Sequence, residues 1–286
     1  MSASARTGFI ALATFLIFCS QAEGKPPSAG QGGVNCPGGT IQKALDQAQV
    51  GDVINVTGTC VENIVITVDQ VILNGGGTAV ILSARPDETA VKVRATNVRI
   101  IGFTITAGSD GNGIHVMNGG SAIIRKNIIS PPTNGAGRNG ILVSRSSYAF
   151  IGTGIFPEEG NTIETFLKAG IVVRGSSNAD IFDNTIRNNG MGIRVDNGGS
   201  ADISGNTIKD NKGDTGEGIL VRANAAIALS SDRNNIDPNV IEGNEVGIRC
   251  ELGGALSGYP QNFKGDTTQN KTVISDDCHI DSALRF

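Results

Sequence analysis

Residues 184–195 read Asn184-Thr185-Ile186-Arg187-Asn188-Asn189-Gly190-Met191-Gly192-Ile193-Arg194-Val195, and much of the chain is variation on them. The closing Gly-Ile-x-Val recurs as Gly113-Ile114-His115-Val116, Gly140-Ile141-Leu142-Val143, Gly170-Ile171-Val172-Val173, Gly218-Ile219-Leu220-Val221 and Gly247-Ile248-Arg249-Cys250. Successive copies, residues 192–195 included, lie 27, 30, 22, 26 and 29 residues apart. The opening element recurs ahead of each copy from the second onward, as Asn127-Ile128, Asn161-Thr162-Ile163, Asn206-Thr207-Ile208 and Asn235-Ile236. A third element reads Ala122-Ile123-Ile124, Ala179-Asp180-Ile181 and Ala201-Asp202-Ile203. Self-similarity at such a period marks a stacked architecture.

Each repeat holds three short alternating runs between Gly, Asn and Ser turns. Runs this short read as strands, and period two sends Ile and Val to one side. No single repeat can bury that side alone, so stacked repeats share one interior. Variable spacing then maps to loops at fixed corners. Asparagines at one corner would stack and exchange side-chain hydrogen bonds, and would also tolerate the left-handed conformation of a sharp corner.

The pattern Asn-Thr-Ile-x-x-Asn-x-x-Gly-Ile-x-Val resembles the repeat of right-handed parallel β-helix proteins, the pectate-lyase-like superfamily, over roughly residues 50–253. The resemblance implies an all-β chain: a single-stranded right-handed parallel β-helix, or solenoid, with a short N-terminal capping α-helix. About eight coils at ~4.8 Å would make a rod roughly 40 Å long. Thr40 to Val50 reads as the capping helix, with Thr40 as N-cap, Ile41, Ala44, Leu45 and Ala48 on one face, and Gly51 as its end. Further strands are expected at 70–74, 79–83, 90–94 and 97–105. The domain layout is a signal peptide at 1–22, a flexible lead-in at 23–35, the capped β-helix at 36–253, and a C-terminal cap or tail at 254–286.

The signal peptide rests on Arg6, the apolar run Phe9–Cys19, and the small residues Ser20 and Ala22 before an expected cut, with Gly24 as the alternative end. The run is shorter than the ~20 residues of a membrane span. The expectation is a secreted or periplasmic protein with no integral membrane span. Export permits disulfides. Cys36, Cys60, Cys250 and Cys278 allow three connectivities. Cys36–Cys60 with Cys250–Cys278 is favoured, because each pair would staple one end of the rod. Asn55-Val56-Thr57 and Asn270-Lys271-Thr272 are glycosylation sequons, relevant in a eukaryotic host.

Composition narrows the function. The 286 residues contain 40 Gly, with 39% hydrophobic residues, enough for a core, and no three-residue glycine period. A net charge of −4 argues against a nucleic-acid partner. With no Trp and two Tyr, aromatic stacking on neutral sugars has little to work with.

Polysaccharide enzymes of this fold commonly act on an outward strand face. The outward positions of the Gly-Ile-x-Val strands carry Arg174, Asp196, Arg222 and Glu251 in one column, with Arg194 and Arg249 beside it. Such a face could grip an acidic polysaccharide, since guanidinium forks suit carboxylates. Arg174, Asp196, Arg249 and Glu251 are the substrate-binding candidates. By resemblance to pectate lyases, Arg194 or Arg222 could remove the C5 proton of a uronate; His115 is the third catalytic candidate. The competing reading is a salt-bridge ladder that needs no ligand. Asp180 and Asp202, 22 residues apart, should stack on adjacent coils and could share a Ca²⁺. Polygalacturonase-type Asn-Thr-Asp and Gly-His-Gly are missing, as is the alginate-epimerase Asp-Pro-His-Glu. The sequence thus poses two functions: a lyase or C5-epimerase acting on acidic polysaccharide, or a non-catalytic extracellular, adhesin-like scaffold. Oligomeric state is not readable from it.

Overall fold

The computed structural model describes residues 33–133, 136–154, 157–229 and 238–258, and the short segments 263–265, 272–274 and 278–280. The signal peptide, most of the lead-in, Asn235-Ile236 and Asn270 lie outside the described residues.

The chain winds as an all-β right-handed parallel solenoid. Inward residues form columns. Ile114, Ile141, Ile171, Ile193, Ile219 and Ile248 are wholly buried, as are Val116, Val143, Val173, Val195, Val221 and Cys250. The six strands carrying them, with three more, form one nine-stranded parallel sheet, here the Gly-Ile face: Ile64–Ile66, Val91–Val93, Asn112–Met117, Asn139–Ser144, Ala169–Arg174, Met191–Asp196, Glu217–Arg222, Val246–Glu251 and Thr272–Ile274. Two further faces, separate in the first coil as Val53–Thr57 and Thr59–Val61, are joined in the next two, because Ile72–Leu82 and Val98–Thr106 each run through both. The next coil splits them into Ser121–Arg125, starting an Ala-x-Ile face, and Ile128–Ser130, on a Thr-Ile face. The expected break at 74–79 is therefore a bulge within one strand. Strand pairing continues past residue 253, through Ala255–Gly258 and Phe263–Gly265 to His279–Ile280.

The split is held by asparagine. In Asn127, Asn161, Asn184, Asn206 and Asn239, each carboxamide oxygen after the first accepts from the backbone N–H and the Nδ2 of the preceding asparagine at 2.9–3.1 Å. All five are buried. The rung after Asn206 is Asn239, not Asn235, since Val240 and Ile241 pair with Thr207 and Ile208. A second ladder, Asn189, Asn211 and Asn244, holds the corner into the Gly-Ile face. The ladder asparagines do not supply the left-handed backbone. At three of the five corners the residue before does: Lys126 at φ 57°, Asp183 at 58° and Gly205 at 67°. One residue turns the corner and the next cross-links it.

The repeated glycine answers to space. A Cβ on Gly140 would lie 2.3 Å from Ile163 Cγ2 and 2.6 Å from the Gly170 carbonyl oxygen. The Thr-Ile face approaches too closely there for any side chain.

The capping helix spans Ile41–Gln47 and stops four residues before Gly51. Thr40 caps it by accepting from the Lys43 N–H, and Glu62 accepts from the N–H groups of Ile41 and Gln42. Ile41 and Leu45 plug the core. Both disulfides form as expected, Cys36–Cys60 beside this cap and Cys250–Cys278 at the far end. No helix among the described residues is long and apolar enough to cross a membrane.

Candidate functional site

Because Ile and Val of the Gly-Ile face point inward, the residues between them point out. In-register pairing aligns Lys92, His115, Leu142, Val172, Arg194, Leu220 and Arg249 in one outward column. Met117, Ser144, Arg174 and Asp196 form the next. Over the middle of this face lies a groove of about 470 Å³. Its floor holds Leu142, Val172 and Met191, which with Ala169 make an apolar cluster separate from the interior. Its rim carries four cations, Arg138, Lys168, Arg174 and Arg194, and the amides Asn112 and Asn139 complete it. Asn139 Nδ2 donates to Asn112 Oδ1 at 2.8 Å.

Arg138 and Lys168 come from corners just ahead of Gly140 and Gly170. The Arg138 N–H donates to the Gly111 carbonyl and the Lys168 N–H to the Arg138 carbonyl, so both stems rest on laddered backbone. Among the described residues, no carboxylate lies at ion-pair distance from Arg138, Lys168 or Arg174.

Beyond Arg194 the same face is charge-paired. Asp196 is fully buried and its Oδ2 pairs with Arg194 and with Arg222 at 3.8 Å. Arg222 and Arg249 both reach Glu251, at 3.9 and 3.8 Å. Arg249 also pairs with Glu217 at 3.2 Å, a carboxylate only 1% exposed that accepts from the Thr215 hydroxyl. Buried carboxylates need such partners, since each uncompensated charge costs several kcal/mol, roughly. The predicted column thus divides. Arg174 and Arg194 line the groove, whereas Asp196, Arg222, Arg249 and Glu251 form an ion chain next to it.

His115 stands one strand from Leu142, with Nε2 2.8 Å from Ser144 Oγ. Burial, and then Arg145, Arg174, Lys92 and Arg94, push its pKa down to about 4. The imidazole is therefore neutral at pH 7.

Asp180 and Asp202 are register partners, but on the Ala-x-Ile face, away from the groove. The Tyr148 hydroxyl donates to Asp180 Oδ2 at 2.6 Å; burial and this carboxylate raise the phenol's pKa. Calcium takes about six to eight oxygens. Among the described residues no third carboxylate or histidine joins the pair, so these side chains do not make a calcium cage by themselves. The one close donor trio, Cys36, Cys60 and Glu62, is a disulfide beside a helix-capping glutamate.

The sequence reading missed Arg138 and Lys168 because it left corners unread, and Asn112 and Asn139 because it began each strand at the glycine that follows them. A signal was present: a cation stands two residues ahead of Gly140 and again ahead of Gly170.

The family described as "Right handed beta helix region" matches residues 89–262. No curated protein matches the chain. Among solved structures, an alginate lyase from Paenibacillus sp. str. FPU-7 superposes with a TM-score of 0.56 at 15% identity, covering 85% of this chain and 96% of that one. The pectate lyase Pel9A gives 0.56 at 12% identity, covering 85% and 72%. The enzymatically active domain of bacteriophage CBA120 tailspike protein 2 gives 0.54 at 12% identity, with 88% of this chain spanning 47% of that one. At these identities the likeness is one of fold.

Proposed function

This chain belongs to the right-handed β-helix family, and from that premise we propose that it is a secreted protein that binds an acidic, uronate-type polysaccharide in the groove of the Gly-Ile face. The observation that carries the reading is the gathering of Arg138, Lys168 and Arg174, none with a carboxylate partner among the described residues, on one groove with Arg194. Cations held this close repel one another, and a polyanion relieves that repulsion. Guanidinium groups can grip carboxylates with two parallel hydrogen bonds. The substrates in the names of the two lyases that share the fold agree with this choice.

Lyase or C5-epimerase chemistry would add proton removal at C5 of the bound uronate. Arg194 is the candidate base on the groove itself. Its neighbour Arg222 and the neutral His115 are the other two candidates. The second reading, a non-catalytic extracellular scaffold, is favoured by the ion chain from Asp196 to Glu217, whose pairs need no ligand.

Proton NMR of polygalacturonate and of alginate mixed with the protein, with and without Ca²⁺, tests both, alongside titration calorimetry on the same samples. Binding with new alkene protons means a lyase, and binding with altered anomeric signals an epimerase. Binding with unchanged spectra supports the scaffold. No heat with either polymer overturns the acidic-polysaccharide reading. Loss of turnover on Ca²⁺ removal that Asp180→Asn reproduces would place the ion at Asp180 and Asp202.

A further inference from the structure

The chemistry of the groove lining is lopsided. A sugar hydroxyl is a donor as well as an acceptor, so a site for bare sugar rings needs acceptors. The four rim cations can only donate. Asn112 is already engaged, accepting from Asn139 and donating to Thr89 Oγ1 at 3.2 Å. Asp196, the carboxylate paired with the lining residue Arg194, is buried and shared with Arg222. Among the described residues this leaves the Asn139 carboxamide oxygen as the side-chain acceptor of the lining.

The floor is lopsided too. Leu142 and Val172 occupy outward positions of a strand face, where the same column carries His115 on one side and Arg194 on the other. They are only 7% and 4% exposed because Ala169 and Met191 pack around them. A hydroxyl donor pressed onto this floor would lose its water and find no partner. An O-acetyl ester changes both features of that hydroxyl. Its donor proton is gone, its carbonyl accepts from Arg or Lys, and its methyl group sits on aliphatic side chains.

We infer that the groove is built for a segment of acidic polysaccharide whose hydroxyls are masked as O-acetyl esters, with carboxylates and ester carbonyls on the cationic rim and acetyl methyls on Leu142 and Val172. The inference rests on the polyuronate reading above and narrows it.

The test uses alginate and polygalacturonate, each chemically O-acetylated, and a portion of each returned to free hydroxyls by mild alkali. The two forms share backbone and carboxylate charge. Titration calorimetry of the mature protein is expected to show about tenfold tighter binding of the acetylated form, as burying a methyl group or two would give. Val172→Thr keeps a β-branched strand residue but puts a hydroxyl on a nearly buried floor position, so its thermal midpoint should fall somewhat; in the folded variant the preference for the acetylated form should fall to about twofold or less. Equal or tighter binding of the deacetylated polymers overturns the acetyl inference and leaves the polyuronate reading standing. Failure of all four samples to bind overturns both.

Discussion

Asn184 joins three coils through one side chain. Its oxygen accepts from the N–H and Nδ2 of Asn161, and its own Nδ2 donates to the Ile151 and Phe182 carbonyls and to Asn206. Replacing it with Ala orphans buried groups on both sides. The expected loss is about 2–4 kcal/mol by urea denaturation, given that an unsatisfied buried donor or acceptor costs about 1–3 kcal/mol. His115 carries a pH signature. Its pKa is lowered from the usual 6.5 to about 4 on folding, so the unfolded chain takes up the proton first as pH falls. Stability from this residue is complete above pH 6.5 and is lost as pH drops toward 4. After discounting for partial exposure the loss is about 1–2 kcal/mol. His115→Gln should flatten the stability profile in that window, and NMR titration of the imidazole should show the low pKa. The cations on the face divide into two kinds. Arg174→Ala should weaken polyuronate binding roughly five- to tenfold and leave the melting temperature alone. Arg222→Ala should do the reverse, costing about 1–2 kcal/mol by weakening the pairing of buried Asp196.

At the scale of the element, the Gly-Ile-x-Val strand is a compromise between close approach and pleat. Its glycine lets the Thr-Ile face pack against it, its Ile and Val fill the interior, and the residue between them is free to vary. That free position is the one the proposed groove uses: Leu142, Val172 and Arg194 occupy it on successive strands and line the groove, with His115 one strand before them. Gly170→Ala would push a Cβ to 2.6 Å from Ile186 Cγ2 and 2.9 Å from the Gly192 carbonyl. Overpacking of this kind costs about 1–3 kcal/mol, and thermal denaturation should show it with binding of the folded protein preserved. The capping helix illustrates a different limit. Its apolar face was evident, but its end was placed at Gly51, whereas the helix stops at Gln47 and Ala48 is already extended. Gly was read as the stop signal, and the plug needs only Ile41 and Leu45.

For the whole molecule, stacking means that each coil is stabilised chiefly by its two neighbours. End coils have one neighbour fewer, and each end carries a disulfide. Hydrogen exchange should therefore find the deepest protection in the strands from Asn139 to Arg222. Reduction should release the coils around Cys60 and after Cys250 first, with the central groove still folded. Uniform loss of protection on reduction would contradict this picture.

The sequence by itself determined the solenoid, the three strand classes and the inward columns, because each repeats locally at a fixed pleat and a parallel stack has little choice of register; for the four cysteines it left three connectivities, of which the structure forms the favoured one. The sequence also determined that Arg174 and Arg194 share one face. Only the tertiary structure decided which charges are paired. Arg174 and Arg222 hold equivalent outward positions on their strands, yet Arg222 has Asp196 and Glu251 across neighbouring strands and Arg174 has no carboxylate partner among the described residues. It likewise brought Arg138 and Lys168 onto the rim, since the direction in which a corner projects depends on the coils above and below it. Pairing and groove shape are properties of neighbours 22 to 30 residues away, and a one-dimensional reading sees their periodicity before it sees their contacts.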